Sequence, residues 1–184
     1  MKSAASPSRG LDASYNSPRA RGRVLVVDDT MTRRDAVVLA LEAQGFEILK
    51  AASAKAAFDV AKQQAPDAIL LDLALPEAQT FAVCRQLKAA CPTFLPVLYL
   101  SSRTSREARA RALDAGVDAY LTRPVDSDEL CAAAGALIRR KREEATRVAA
   151  AALGSLLDDA LDALADHVAL LGADGELVAV NRSW

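Results

Sequence analysis

At 184 residues the chain is long enough for one domain of ordinary size and a remainder, taking about 150 residues per domain. Hydrophobic residues at 52% exclude a mostly disordered chain, and 23 Lys+Arg against 24 Asp+Glu exclude the overall basicity of a nucleic-acid-binding protein. No apolar run approaches the roughly 18 residues of a membrane span, and no secretory signal is recognisable, so the expectation is a cytoplasmic chain without a membrane span.

Residues 1–23 carry five basic groups and one acid, and are rich in Ser, Pro and Gly up to residue 22, so 1–22 reads as a disordered tail. Order is expected from Arg23. Val24–Val27 is apolar at every position and too short for a helix, as a strand covered on both faces should be, and it runs into Asp28-Asp29. Helical spacing follows over Thr32–Gln44, with Val37, Val38, Ala40 and Leu41 toward one side and Gly45 at the end. Phe46–Ala51 reads as a second strand, and Ser53 caps a helix through about Gln64. Ala68–Leu71 is a third strand ending at Asp72, followed by a helix over Ala78–Ala90 and a break bracketed by Pro92 and Pro96. Val97–Leu100 is a fourth strand ending at Ser101-Ser102, Thr104–Ala115 a helix closed by Gly116, and Val117–Leu121 a fifth strand leading to Thr122-Arg123-Pro124. Asp126, with Glu129 three residues on, has the pattern of a capping box.

Five strand–helix repeats predict an α/β fold, a parallel sheet with helices on both faces. Functional groups in such sheets collect at the carboxyl ends of the strands. Asp28, Asp29, Asp72, Ser101 and Arg123 all fall there. Taken singly, the first two read as helix caps and Asp72 as a turn residue. Taken together, three carboxylates on one edge repel one another unless a cation sits among them. Mg²⁺ suits one or two carboxylates, a carbonyl and waters, and an aspartate carboxylate is a competent phosphoryl acceptor. Ser101 and Arg123 would then supply a hydroxyl and a cation to the transferring oxygens. Cys84, Cys91 and Cys131 have no CxxC spacing and read as buried reduced thiols; with His167 as the single histidine there is no zinc-type set.

From residue 23 to about 140 the chain resembles the receiver domain of two-component response regulators. The resemblance lies in Val24–Asp29, Leu70–Pro76, Pro96–Ser102 and Ala115–Pro124, in that order and spacing. It implies a flavodoxin-like (βα)5 doubly wound sheet of order 2-1-3-4-5. It places Asp72 at the phosphoacceptor position, Asp29, Asp72 and the Ala74 carbonyl at the Mg²⁺ ligands, and Asp28 at the water-mediated position. Ser101 falls at the switch hydroxyl and Tyr120 at the switch aromatic. Tyr120 as simple half-buried packing is the competing reading. Two positions depart from the pattern. Arg123 stands where the family has lysine, just before the cis-type proline position Pro124; a planar fork is not a compact ammonium. Thr80 stands where the family has glycine, and would be strained if the backbone there required φ > 0.

Beyond the receiver-like part, Asp126 to about Asp166 contains no proline, so a long C-terminal helix is expected. Arg139 with Glu143 and Arg140 with Glu144 have i,i+4 spacing. Leu153, Leu157, Leu161, Leu164 and Val168 have the spacing of a helix–helix seam, with a kink plausible at Gly154, and predict a parallel homodimer. His167–Leu171 and Glu176–Val180 around Asp174-Gly175 read as a β-hairpin. With Asn181 and Arg182 this stretch resembles the opening of a PAS domain. The expected division is therefore a tail (1–22), a receiver (23–140), a signalling and dimerisation helix (141–166) and a PAS-like hairpin (167–184). The chain reads as the front of a longer signalling protein. The expected function is phosphoryl acceptance on Asp72 with Mg²⁺ from a histidine kinase or histidine phosphotransfer protein. Neither nucleic-acid binding nor enzymatic activity beyond self-phosphorylation and autodephosphorylation is expected. The alternative is a pseudo-receiver, never phosphorylated, that docks and dimerises; Arg123 and Thr80 are its support.

Overall fold

The computed structural model describes residues 21–91, 93–164 and 166–184. Tail residues 1–20 and Pro92, one side of the expected loop break, lie outside the described residues. Strands β1 (Arg23–Asp28), β2 (Glu47–Ala51), β3 (Ala68–Asp72), β4 (Val97–Ser101) and β5 (Ala119–Thr122) form one parallel sheet in the expected order β2-β1-β3-β4-β5. Helices α1 (Met31–Ala43), α2 (Ala54–Gln64), α3 (Glu77–Ala89), α4 (Arg106–Asp114) and α5 (Ser127–Asp162) alternate with the strands. The central strands bury both faces, which is why they are apolar at successive positions. Leu25, Val27, Ile69 and Leu71 point into one core with α2, α3 and Ala112 of α4. Val24, Val26, Ala68 and Leu70 point into the other, with α1 and the start of α5.

Two helix ends are shaped by glycine. After α1, Gly45 adopts φ +81°, its N–H bonds to the Glu42 carbonyl and that of Phe46 to the Leu41 carbonyl. After α4, Gly116 adopts φ +94° and the same pair of bonds forms, to Leu113 from Gly116 and to Ala112 from Val117. This is the Schellman arrangement, and its apolar pairs, Phe46 with Leu41 and Val117 with Ala112, each lie in a single core. Val117 is therefore spent on closing α4, and β5 starts at Ala119, two residues later than the sequence suggested. Helix starts follow the caps that were expected: Ser53 accepts from Ala56 N (3.2 Å), and Asp126 Oδ1 accepts from Asp128 N and Glu129 N (2.8 and 3.3 Å).

Several expectations need correction. The expected tail 1–22 is ordered at its end: Arg21 N donates to the Gly45 carbonyl, its guanidinium lies over the Phe46 ring at 4.8 Å, and the Gly22 carbonyl accepts from Glu47 N. These contacts prolong the β1–β2 pairing. Thr80 is not strained: it lies inside α3, fully buried, and Ala65 is the non-glycine residue of positive φ among the described residues. The long helix ends at Asp162 rather than near 166, it passes Gly154 without a break, and Leu164 and Val168 fall beyond it. Glu144 pairs with Arg147, and Arg140 reaches Asp118 and stacks on Phe94, so the expected i,i+4 partners are engaged elsewhere.

At 1.5 Å per residue the 36 residues of α5 span about 54 Å. Only its start, to Ile138, packs in the core; Val148, Leu153, Leu156 and Leu157 are exposed. Past the helix, β6 (Ala169–Leu171) and β7 (Leu177–Val180) form the expected antiparallel hairpin. The buried Asn181 anchors it, accepting from Val168 N and donating to the carbonyls of Leu164 and Asp166, while Arg182 pairs with Asp162 at the helix end. Cys84 and Cys131 are buried and Cys91 half-buried, all three free. Burial pushes the Cys84 thiol up to about 11, so it is protonated and inert at neutral pH.

Candidate functional site

Parallel pairing puts the carboxyl ends of β1 and β3 side by side, with Asp28 in register with Asp72. Both are buried, at 1% and 6% exposure, whereas Asp29 is exposed. Two buried acids on adjacent strands require positive charge nearby. Arginines supply it. Arg123, just after β5, turns its Nη2 to an ion-pair contact with Asp72 Oδ2 and lies 3.8 Å from Asp28 Oδ2. Burial, and next the repulsion of Arg33, lower the proton affinity of the Arg123 guanidinium below its ordinary value.

Arg33 was not singled out from the sequence. It stands in the first turn of α1, and its Nη2 lies 3.4 Å from both Asp28 Oδ1 and Asp29 Oδ1 and donates to Thr30 Oγ1 at 2.6 Å. The signal available was its i+4 spacing from Asp29. Thr30 N donates to Asp28 Oδ1 (2.7 Å), and Arg34 Nη1 to the Asp28 carbonyl (3.0 Å). Asp29 Oδ2 accepts from Ala74 N at 3.1 Å, holding the loop after β3 against the end of β1.

Ser101 ends β4, is 6% exposed, and its carbonyl accepts from Arg123 N (2.8 Å). Its hydroxyl accepts from Arg103 N (3.2 Å). Tyr120 is already turned inward at 5% exposure; its hydroxyl donates to the Arg103 carbonyl (2.7 Å) and its ring meets Tyr99 edge-on at 5.6 Å. Glu77 at the start of α3 bridges Arg103 and Arg111, and the hydrogen bond from Arg111 holds its carboxyl below the ordinary range. The sheet edge thus brings together Asp28, Asp29, Asp72 and Arg123. Ser101 and Tyr120 join through the backbone of Arg103 and Arg123. Arg123–Pro124 is a cis peptide.

The sequence profile of the response regulator receiver domain matches residues 24–135. The chain belongs to this receiver family. Response regulator MprA of Mycolicibacterium vanbaalenii is 38% identical over 118 residues, 64% of this chain and 51% of that protein. The chain spans about half the length of the curated relatives it matches. The receiver domain of a Francisella response regulator superposes with a TM-score of 0.59 at 28% identity, over 65% of this chain and 98% of that one. NtrX of Brucella abortus superposes at 0.62 and 25% identity, over 70% of this chain and 29% of that one.

Receiver domains are phosphoryl-accepting modules of two-component signalling, served by histidine kinases, and generally bind Mg²⁺ at the accepting site. The donors of this receiver suit such a hard cation: Asp28 Oδ2 and Asp72 Oδ2 are buried without a well-aligned hydrogen-bond donor, and the Ala74 carbonyl is close in sequence. Yet no three His, Cys, Asp or Glu side chains among the described residues gather into a metal-holding group, because guanidinium groups stand between the acids. No helix among the described residues is long and apolar enough to cross a membrane.

Proposed function

We propose that this receiver accepts a phosphoryl group on Asp72 and relays its state through α5. The observation that carries the reading is the pairing of Asp72 with Arg123 on a sheet edge that also presents Asp28, Asp29 and Ser101. A carboxylate oxygen of Asp72 attacks phosphorus in line, the P–N bond of a phosphohistidine breaks, and the imidazole leaves with the electron pair, giving an acyl phosphate. The donor is a histidine kinase or histidine phosphotransfer protein, or a small phosphodonor in self-phosphorylation. Arg123 lies where it would leave the carboxylate and follow the charge onto the phosphoryl oxygens. The Ser101 hydroxyl would exchange the Arg103 amide for a phosphoryl oxygen. That movement would reach Tyr120 through the Arg103 carbonyl. Mg²⁺, held by Asp29, Asp72 and the Ala74 carbonyl with Asp28 through water, would offset the charge of the group in transfer.

The chain's three free cysteines agree with a cytoplasmic location. The exposed Val148 and Leu156, and Leu153 and Leu157, at steps of eight and four on α5, support homodimerisation through this helix. Solution mass at micromolar concentration is expected to be that of a dimer, and replacing Leu153 and Leu157 by lysine to give the monomer. Gly175 at φ +82° in the hairpin turn supports the PAS-like reading of 167–184.

The ion pair between Arg123 and Asp72 also favours the second reading, a pseudo-receiver in which the guanidinium closes off the acceptor. Intact mass after incubation with Mg²⁺ and acetyl phosphate separates the two. A single phosphoryl adduct, absent in Asp72→Asn, is expected. No adduct in the folded parent, with acetyl phosphate or with its kinase, would leave the pseudo-receiver.

A further inference from the structure

Arg33 is a cation inside the acidic site that none of the roles above uses. Its Nη2 is equidistant from Asp28 Oδ1 and Asp29 Oδ1 at 3.4 Å and is fastened by Thr30 Oγ1 at 2.6 Å. The pose has a cost: Arg33 Nε is buried with no hydrogen-bond partner among the described residues. The remainder of the side chain reaches solvent at 37% exposure, so an outward path is open. A guanidinium held by two carboxylates at the expense of one unsatisfied N–H is balanced against leaving. We propose that Arg33 is a built-in counter-cation of the acidic site, which neutralises Asp28 and Asp29 in the resting receiver and swings out when a divalent cation binds. The inference rests on the Mg²⁺ reading of this site and adds its regulation. Divalent-ion binding is set against an internal arginine, so the site fills at higher Mg²⁺ concentration than the carboxylates alone would require. Arg123 cannot take this part, because its Nη2 faces the opposite oxygens, Asp28 Oδ2 and Asp72 Oδ2.

The test is a Mg²⁺ titration followed by amide NMR shifts of Thr30 and Ala74, on the unphosphorylated chain and without any phosphodonor. Arg33→Ala is expected to bind Mg²⁺ about tenfold more tightly than the parent, the weight of two partly exposed charge contacts. Arg33→Gln, which keeps a donor for Thr30 but loses the charge, should tighten binding by a similar factor, and Asp29→Asn should weaken it. Equal Mg²⁺ affinity in parent, Arg33→Ala and Arg33→Gln, with Asp29→Asn still weakened, would overturn the counter-cation role alone. No Mg²⁺-dependent shift in any folded form would overturn the Mg²⁺ reading and this inference with it.

Discussion

Replacement of Asp118 by alanine is expected to destabilise the receiver by about 3 kcal/mol, although the residue lies away from the acidic edge. Asp118 is a loop residue ahead of β5, with a side chain only 7% exposed. Its Oδ2 accepts from Lys88 Nζ of α3 (2.6 Å) and from the first amide of β4, Val97 N (2.9 Å), and its Oδ1 lies 3.6 Å from Arg140 of α5. One carboxylate thereby joins two helices and a strand. Alanine would leave the Val97 N–H without its acceptor and the Lys88 ammonium with the Gly116 carbonyl in place of a counter-charge. Lys88 is a quarter exposed and can recover water, which holds the cost to the lower end of the range for a broken buried pair. With a urea slope of about 1.5 kcal/mol per molar, the midpoint should fall by about 2 M. Asp118→Asn, which keeps an acceptor and loses the charge, should fall by roughly half as much. A midpoint shift under about 0.5 M for the alanine variant would show that the junction carries no net stability.

Arg123→Ala is expected to slow phosphoryl uptake from acetyl phosphate about 10²–10³-fold, the usual weight of one fixed cation or donor at a developing charge. Arg123 Nη2 is in ion-pair contact with Asp72 and comes near Asp28. It is the guanidinium placed to meet oxygens arriving over Asp72. Arg123→Lys should stay within about tenfold of the parent, because an ammonium supplies the charge without the planar fork. Time-resolved intact mass at saturating Mg²⁺ gives these rates directly. An unchanged rate in Arg123→Ala would remove the residue from the transferring group. A gain of uptake in Arg123→Lys over an inert parent is the result expected of a pseudo-receiver that the arginine keeps closed.

The sheet was legible because burial on both faces leaves β1, β3 and β4 no freedom: every position is apolar until an acid or hydroxyl marks the end. The strand-end residues were legible for the same reason, and parallel registration then sets Asp28 beside Asp72. Arg33 was not legible, since an arginine on the first turn of a helix has the pattern of any solvated position until the chain is folded. Arg140 was misread because i,i+4 spacing takes no account of Phe94 and Asp118, which come from other elements and draw it across. Thr80 shows the reverse case. A missing glycine raised the prospect of strain, but α3 begins at Glu77 and carries Thr80 as an ordinary buried helical residue.

The unbroken course of α5 from the core to Asp162 makes angle as well as distance part of the chain's design. Each residue turns the helix by about 100°, so one added or removed residue beyond Ile138 would point everything downstream in a different direction while leaving the receiver untouched. Seven residues, close to two full turns, would restore the original heading with a change of only about 10 Å in reach. What is attached beyond Asp162 is thus held in phase with the sheet, and the spacing between them is constrained in steps of the helical repeat rather than residue by residue.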